Sequence, residues 1–330
     1  MTKTNVARSY RKQYGMEMPT RKLARIMYGE NNLLFRDEES ARYVLSKIEG
    51  KRGGGKSPKI RESEFYKPEE RPKNPYNLPE SDEESFEVFY INGHKRILIL
   101  NDIHLPYHSI QAITAAFDFA KQEKPDAIFV NGDLLDFHQL SYFEKDPKKK
   151  SFPTELAMFK AFFQTLQEVF GVKVYFKFGN HEERYERFLF QKAKELVGVE
   201  EFELQNIIKA RAEGIEIIKD RRIVDMNGLP FVHGHEFGRG VFSPVNAARG
   251  LFLQAKHSCV KGDCHTSSEH TEPNVYGKIM TTYSVGCLCG LNPHWLPINK
   301  WNQGFAIMDA DTNGVEYQFR NYRIYKGRVL

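Results

Sequence analysis

The chain contains no apolar run near the ~18 residues that a membrane-spanning helix requires. Its opening, Met1-Thr2-Lys3-Thr4-Asn5-Val6, lacks the hydrophobic segment of a secretory signal. A soluble, cytoplasmic protein is therefore expected, with no membrane partner. Cysteine is scarce. Only Cys259, Cys264, Cys287 and Cys289 occur, spaced C-x4-C and C-x-C, which excludes a disulfide scaffold and departs from the C-x2-C pairs of structural zinc sites. Free, packed thiols are the expectation. No internal repeat is present, so a solenoid is excluded. Aliphatic residues are nearly missing from 51–84, where Gly53-Gly54-Gly55 and five of the 15 prolines fall; such a stretch supports no core and reads as a linker.

With 330 residues, 41% of them hydrophobic, the chain can bury one large core and carry a smaller unit besides. Its charge is uneven. Residues 1–60 hold 14 Lys and Arg against six acids, whereas the remainder holds 34 against 37. Residues 1–50 read as three short helices. The last is the clearest: Ala41, Val44, Leu45 and Ile48 share one face, and Asp37-Glu38-Glu39 occupies the N-terminal turn, where the helix dipole favours acids. Thr20 is placed to cap the middle helix, whose apolar face is Leu23, Ile26 and Met27, and Asn31-Asn32 would form the turn. Two readings stand for this module: a helix-turn-helix-like DNA reader, or a small docking module whose Lys and Arg are merely solvated.

From residue 85 an alternating strand, Phe86–Ile91, leads through Asn92-Gly93, a hairpin signal, to a strand at Arg96. Strands and helices then alternate. Helices are expected at 110–122, 154–170, 183–196 and 245–256, and strands at 127–130, 173–178, 215–219, 222–225, 229–232 and 259–265, with a closing hairpin around Asn313-Gly314. A largely parallel, helix-covered sheet follows, with a second, more antiparallel sheet from the later strands.

Five apolar strands end in metal-capable side chains: Asn101-Asp102-Ile103-His104, Asn131-Gly132-Asp133-Leu134-Leu135-Asp136, Gly179-Asn180-His181-Glu182, His233-Gly234-His235 and Gly262-Asp263-Cys264-His265. Open α/β sheets collect ligands at the carboxyl ends of their strands. One such ending is ordinarily structural; five in order are a site.

The series D-x-H, G-D-x-x-D, G-N-H-E, a later His and G-x-x-H resembles the calcineurin-like metallophosphoesterases, over about residues 95–325. Basic helical extensions of this kind resemble those of phage-type members. The resemblance implies a four-layered αββα sandwich of α/β class, preceded by the small N-terminal helical domain. It also implies two divalent ions. Asp102, His104 and His265 match the ligands of one, Asn180 and His233 match ligands of the other, and Asp133 would bridge them. Asp263 stands where relatives carry His; a carboxylate there favours Mn2+, with Fe2+ or Zn2+ as alternatives. The implied reaction is phosphoester hydrolysis by a metal-activated hydroxide, with His181 as general acid oriented by Asp136. Asn180, Arg184, Lys148 and Lys149 are candidates for the substrate phosphate, as is Arg187. Trp295, Trp301 and His294 lie in a Pro-bounded loop and either wall the pocket or pack in the core. A phosphodiester substrate, nucleic acid among them, is the leading expectation. A phosphomonoester or phosphoprotein phosphatase is the rival, weakened because Phe137-His138 replaces the Arg-Gly of the phosphatase branch. A DNA-binding protein on a degenerate phosphoesterase fold is the other.

Overall fold

The computed structural model describes residues 2–52, 74–79, 81, 86–142, 148–219, 221–237, 245–310 and 317–330. The chain divides into two compact units, Met1–Glu83 and Glu84–Leu330. Most of the linker 51–84, residues 143–147 after the second strand-end motif, and the Asn313-Gly314 turn lie outside the described residues.

The first unit packs α1 (Lys3–Tyr14), α2 (Thr20–Glu30) and α3 (Glu38–Ile48) around Ala7, Leu23, Met27, Phe35, Ala41 and Leu45. A capping box starts α3: the Asp37 carboxylate accepts from Ser40 N at 2.6 Å, and the Ser40 hydroxyl accepts from Asp37 N at 3.1 Å. The expected Thr20 cap is not formed. Pro19 takes the cap position of α2, and the Thr20 hydroxyl instead donates to Glu49 Oε2 at 2.7 Å and accepts from Lys51 Nζ at 2.8 Å. Glu49 draws it there because it is buried against Arg11, which also donates to Gly15 O and Met18 O, each at 2.8 Å. A buried ion pair so fully hydrogen-bonded locks the ends of α1 and α3 together. Residues 31–37 separate α2 from α3, a longer connection than the three or four residues of a helix-turn-helix turn.

The second unit holds two sheets. One has a parallel part, made of β2 (Arg96–Leu100), β3 (Ala127–Asn131), β4 (Lys173–Lys177) and β5 (Ile215–Ile218). The antiparallel strands β11 (Gln303–Ala310), β12 (Tyr317–Tyr325) and β13 (Arg328–Val329) extend it beyond β2. The other sheet contains β1 (Phe89–Tyr90), β6 (Val224–Met226), β7 (Leu229–Val232), β8 (Cys259–Lys261), β9 (Ser268–Pro273) and β10 (Ile279–Ser284), in the order β1-β6-β7-β8-β10-β9.

Alternation along each strand sorts the two faces. Ile97, Ile99, Ala127 and Phe129 meet Val224, Met226, Phe231 and Val260 of the other sheet, and the Phe129 and Phe231 rings sit edge to face at 5.6 Å. Truncating either Phe would cost roughly 3–5 kcal/mol. On the opposite face, Leu98, Leu100, Ile128 and Val130 pack beneath α4 (Ile110–Glu123) and α5 (Phe152–Phe170), through Ala116, Phe117, Phe159 and Phe163. The shorter helices α6 (Glu183–Lys192) and α7 (Leu204–Lys209) join the same layer through Tyr185, Leu189 and Ile208. Leu251 of α8 (Ala247–Ala255) covers Val232 and Cys259 of the second sheet. The layers are thus helix, sheet, sheet, helix, as the resemblance implied.

Two expectations about connectivity are corrected. Asn92-Gly93 does not close a hairpin: β1 pairs in parallel with β6, Phe89 opposite Val224, while β2 lies in the other sheet. Ile91 is buried between the sheets beside Ile97, so the segment crosses from one layer to the next. The late strands also do not all belong to the second sheet, since β5 and β11–β13 complete the first. Among the described residues no helix is long and apolar enough to cross a membrane.

Candidate metal centre

The five strand-end motifs converge. Those after β2, β3 and β4 come from the first sheet and those after β7 and β8 from the second, at the shared edge where the parallel strands end. Direct bonds close the seam: Asn131 Nδ2 donates to Val232 O at 2.8 Å, and His233 Nδ1 meets Asn131 O at 2.7 Å. Asp102, His104, Asp133, Asp263 and His265 all take left-handed backbone, with φ of 50, 51, 52, 60 and 53°. Such φ is uncommon outside glycine, costing on the order of 1–3 kcal/mol each where the surroundings impose it. Glycine makes the crowding possible. A Cβ on Gly262 would lie 2.6 Å from Asn101 Nδ2 and 2.9 Å from Asp102 Oδ2, and Gly132 and Gly179 are equally confined against His233 and Asp133.

Donor atoms face one another across two short spaces. In the first, His104 Nε2 is 3.2 Å from His265 Nε2, and His265 Nε2 is 3.4 Å from Asp102 Oδ1. In the second, His233 Nε2 is 3.2 Å from Asn180 Oδ1 and 3.3 Å from Asp133 Oδ2. Asp133 Oδ2 also lies 3.7 Å from His104 Nε2, so one carboxylate serves both spaces. Donors about 2.0–2.2 Å from a common ion, at 90–110° to each other, stand roughly 2.8–3.6 Å apart. The set fits divalent ions. Two imidazole lone pairs aimed at each other at 3.2 Å repel unless a proton or a cation lies between them.

The far nitrogen of each imidazole has its own partner. His104 Nδ1 meets Asp136 Oδ1 at 3.2 Å, His233 Nδ1 meets Asn131 O, and His265 Nδ1 faces Cys289 Sγ at 3.7 Å. Such contacts select the tautomer that leaves Nε2 for the centre. Burial pushes the Asp133 carboxyl up, but the neighbouring His181 and His233 outweigh it and hold the group well below the usual range.

Asp263 is the outlying member. Its carboxylate is 37% exposed and 3.9 Å from His233 Nε2, while its main-chain N–H donates to Asp102 at 3.1 Å. His181 sits beside the donors: Nδ1 lies 2.9 Å from Asp136 O and 3.2 Å from Asp136 Oδ1, and Nε2 is 3.8 Å from Asp133 Oδ2. Burial disfavours its imidazolium, and the carboxylates of Asp133 and Asp136 more than offset that, so its pKa is raised. Arg184 caps the group, with Nη1 on Asp136 O at 2.7 Å and Nη2 at 2.9 Å from His181 Nε2. Arg187 is placed elsewhere, exposed and paired with Glu183 at 2.6 Å. Lys149 Nζ lies 5.0 Å over the ring of Tyr107, three residues beyond His104, and Lys148 is exposed next to it. Trp301 packs its ring 4.1 Å from that of His265, and Trp295 stands 5.6 Å from Trp301. His294 is exposed in the same loop.

Three carboxylates, Glu182 and Glu155 buried and Glu236 nearly so, escaped the sequence reading. Glu182 accepts from Gly179 N at 2.8 Å, Leu135 N at 2.9 Å and Asp133 N at 3.0 Å, so it buckles two of the loops together. Burial, with Asp133 adding, pushes its carboxyl up to about 7. Glu236 accepts from His233 N and Gly234 N at 2.9 and 2.7 Å and pairs with the buried Lys177 at 2.9 Å. Glu155 of α5 accepts from Phe137 N at 2.6 Å. The only signal for Glu182 was its place at the end of G-N-H-E; the other two lie in no motif.

The chain is 25% identical over 236 residues to the Gene 54 protein of Mycobacterium phage L5, covering 67% of this chain and 91% of that protein. Among solved structures, a phosphoesterase from E. coli, Yfce, is similar at 13% identity and a TM-score of 0.34, over 67% of this chain and 96% of that one. Vps29 of Chaetomium thermophilum is similar at 10% identity and a TM-score of 0.40, over 71% and 94%. The calcineurin-like phosphoesterase model matches residues 95–277, which is more than half of the chain and takes in all five converging motifs. The chain therefore belongs to the calcineurin-like phosphoesterase family and is a hydrolase of phosphate esters.

Proposed function

We propose that the chain hydrolyses phosphodiesters at a centre of two divalent ions, Mn2+ foremost, with nucleic acid as the natural substrate. The observation that carries this is Asp133 Oδ2, which lies 3.7 Å from His104 Nε2 and 3.3 Å from His233 Nε2, facing both donor sets. When bound, the ions supply Lewis acidity towards a phosphoryl oxygen and a water acidic enough to attack phosphorus. Asp102, His104, Asp133 and His265 would hold one ion, and Asp133, Asn180, His233 and Asp263 the other, the oxygen-rich second set favouring a hard ion. His181 donates from Nε2 to the leaving oxygen while Asp136 holds its Nδ1. Arg184 and the Nε2 proton compete for one position, so protonation of His181 turns Arg184 towards the substrate phosphate. Lys149, over the Tyr107 ring three residues beyond His104, and the exposed Lys148 beside it would meet a polyanion.

The choice of diester follows from the residue after Asp136. Phe137 is buried and its N–H is tied to Glu155, so no cation stands there to balance the second charge of a monoester. Arg184, 19% exposed, favours the monoester reading to the extent that it is a cation beside His181. The test is metal analysis of the purified protein with rates on bis(p-nitrophenyl) phosphate, p-nitrophenyl phosphate and DNA. Two ions per chain and faster diester turnover are expected, with Asp133→Asn slower by at least ~10^2-fold. Activity without any bound or required metal would sink the assignment, and a preference for the monoester would select the rival.

A further inference from the structure

A cavity of about 530 Å³ opens beside the metal centre. That lies within the ~300–1,000 Å³ usual for small-molecule sites. Cys264 and Thr266, which flank the ligand His265, form its floor, and the start of α8 at Asn246 and Ala247 forms one wall. The loop before β11 supplies the other wall with Ile298, Lys300 and Trp301. The Trp301 ring touches the His265 ring at 4.1 Å. Trp295 lies beside the lining, meets Trp301 edge to face at 5.6 Å and is 72% exposed, so its own ring face is open next to the cavity. Lys300 is exposed and has no ion-pair partner among the described residues.

A large indole left this open beside a reaction centre offers a flat π-face to a planar group, and stacking of a base on such a face is tolerant of base identity. Ile298, 90% exposed, would cover the edge of that group, and Lys300 supplies a cation for an anionic continuation of it. A group seated here adjoins a phosphate held at His265. We infer that the cavity is a nucleobase subsite, which stacks the base next to the scissile phosphate on Trp295 and Trp301 and turns Lys300 towards the adjoining phosphate. The inference rests on the phosphodiester reading, and gives it a means of selecting nucleotides over other diesters.

Trp301, which lines the cavity, and Trp295, against its ring, are the chain's two tryptophans, so indole emission reports on the cavity and the aromatic pair beside it. The full, metal-loaded chain is titrated with AMP, ribose 5-phosphate and phenyl phosphate, and the emission is read on mixing. Saturable quenching by AMP, with none by ribose 5-phosphate, is expected. Trp295→Ala should weaken AMP binding about tenfold, and Trp295→Phe should restore most of it. Equal binding of AMP and ribose 5-phosphate, or AMP affinity unchanged in Trp295→Ala, overturns the inference. Phenyl phosphate binding more tightly than AMP also overturns it, in favour of a phosphotyrosyl peptide. Hydrolysis of bis(p-nitrophenyl) phosphate by the same protein separates the two readings: base-dependent quenching without hydrolysis keeps the subsite and sinks the diesterase, and hydrolysis without quenching does the reverse.

Discussion

His181 and Asp136 illustrate what a single side chain can be asked to do. If His181 protonates the leaving oxygen, its removal matters only when that oxygen is a poor leaving group. His181→Ala should therefore slow an alkyl or nucleotidyl ester by ~10^2–10^4 while leaving an activated aryl ester within a few-fold. Equal slowing of both would assign His181 to substrate binding alone. Glu155 makes a different prediction. Burial pushes its carboxyl up to about 8, against 4.5 in an open chain; the Phe137 N–H pulls it back and Asp136 adds to the rise. Below pH 4.5 both states hold the proton, and between there and about 8 only the unfolded chain has released it, so the folded state weakens as pH rises through that window. Glu155→Gln keeps the shape and removes the titration. Its melting temperature, compared with the parent, should match at pH 4 and exceed it by several degrees at pH 8; equal values at both would show that Glu155 ionises freely in the fold. The donors at strand ends were legible in the sequence because their spacing is local. Glu182, Glu236 and Glu155 were not, since each acts on main-chain N–H groups, Glu155 on one 18 residues away, and nothing in the local pattern marks the receiver.

Among the elements, the helices and parallel strands were legible from apolar periodicity, and their partners were not. Asn92-Gly93 bends the chain, with Gly93 at φ 84°, but makes no hairpin: a local bend does not decide whether the chain returns to the same sheet, and the burial of Ile91 between the sheets does. Thr20 has the chemistry of a cap, and a buried carboxylate 29 residues away claimed it instead. The first three helices bear on the nucleic-acid proposal. Glu38 and Glu39 begin α3 and Glu38 pairs with Arg25 at 3.6 Å, which leaves Arg8, Lys12, Arg21 and Lys22 as exposed cations with no ion pair among the described residues. The double change Arg21→Glu and Lys22→Glu in the full chain should weaken DNA binding and flatten its salt dependence, by roughly 0.9 in log–log slope for each phosphate that is no longer neutralised. Hydrolysis of a small aryl diester should not change. Gel shifts at two salt concentrations would read this, and undiminished binding would leave the helices a protein-docking role.

At the scale of the whole molecule, the centre is a seam between two sheets, held by the Asn131 and His233 contacts and by donors drawn from both. Ions that bind only this assembled arrangement add to its stability in proportion to ln(1 + [ion]/Kd), about 2.7 kcal/mol at a hundredfold excess over Kd. Chelation should lower the melting temperature, and Mn2+ should restore it; an unchanged value would mean that the seam closes without metal. The legible part at this scale was the helix-covered parallel sheet, because strands and helices alternate locally, while the four layers were implied by the family resemblance. Which sheet receives the tail was not, because β11, β12 and the edge strand β13 carry no address.

That tail has a temporal side. β11 lies directly against β2, the strand that delivers Asp102 and His104, although some 200 residues of sequence separate them. A chain emerging from the ribosome thus presents all its ligands through His265 before the strand that seals β2 has been made. Until Ala310 clears the exit tunnel, β2 stands at the edge of its sheet with β3 as its one partner there, and the loop bearing Asp102 and His104 hangs from an unsealed strand.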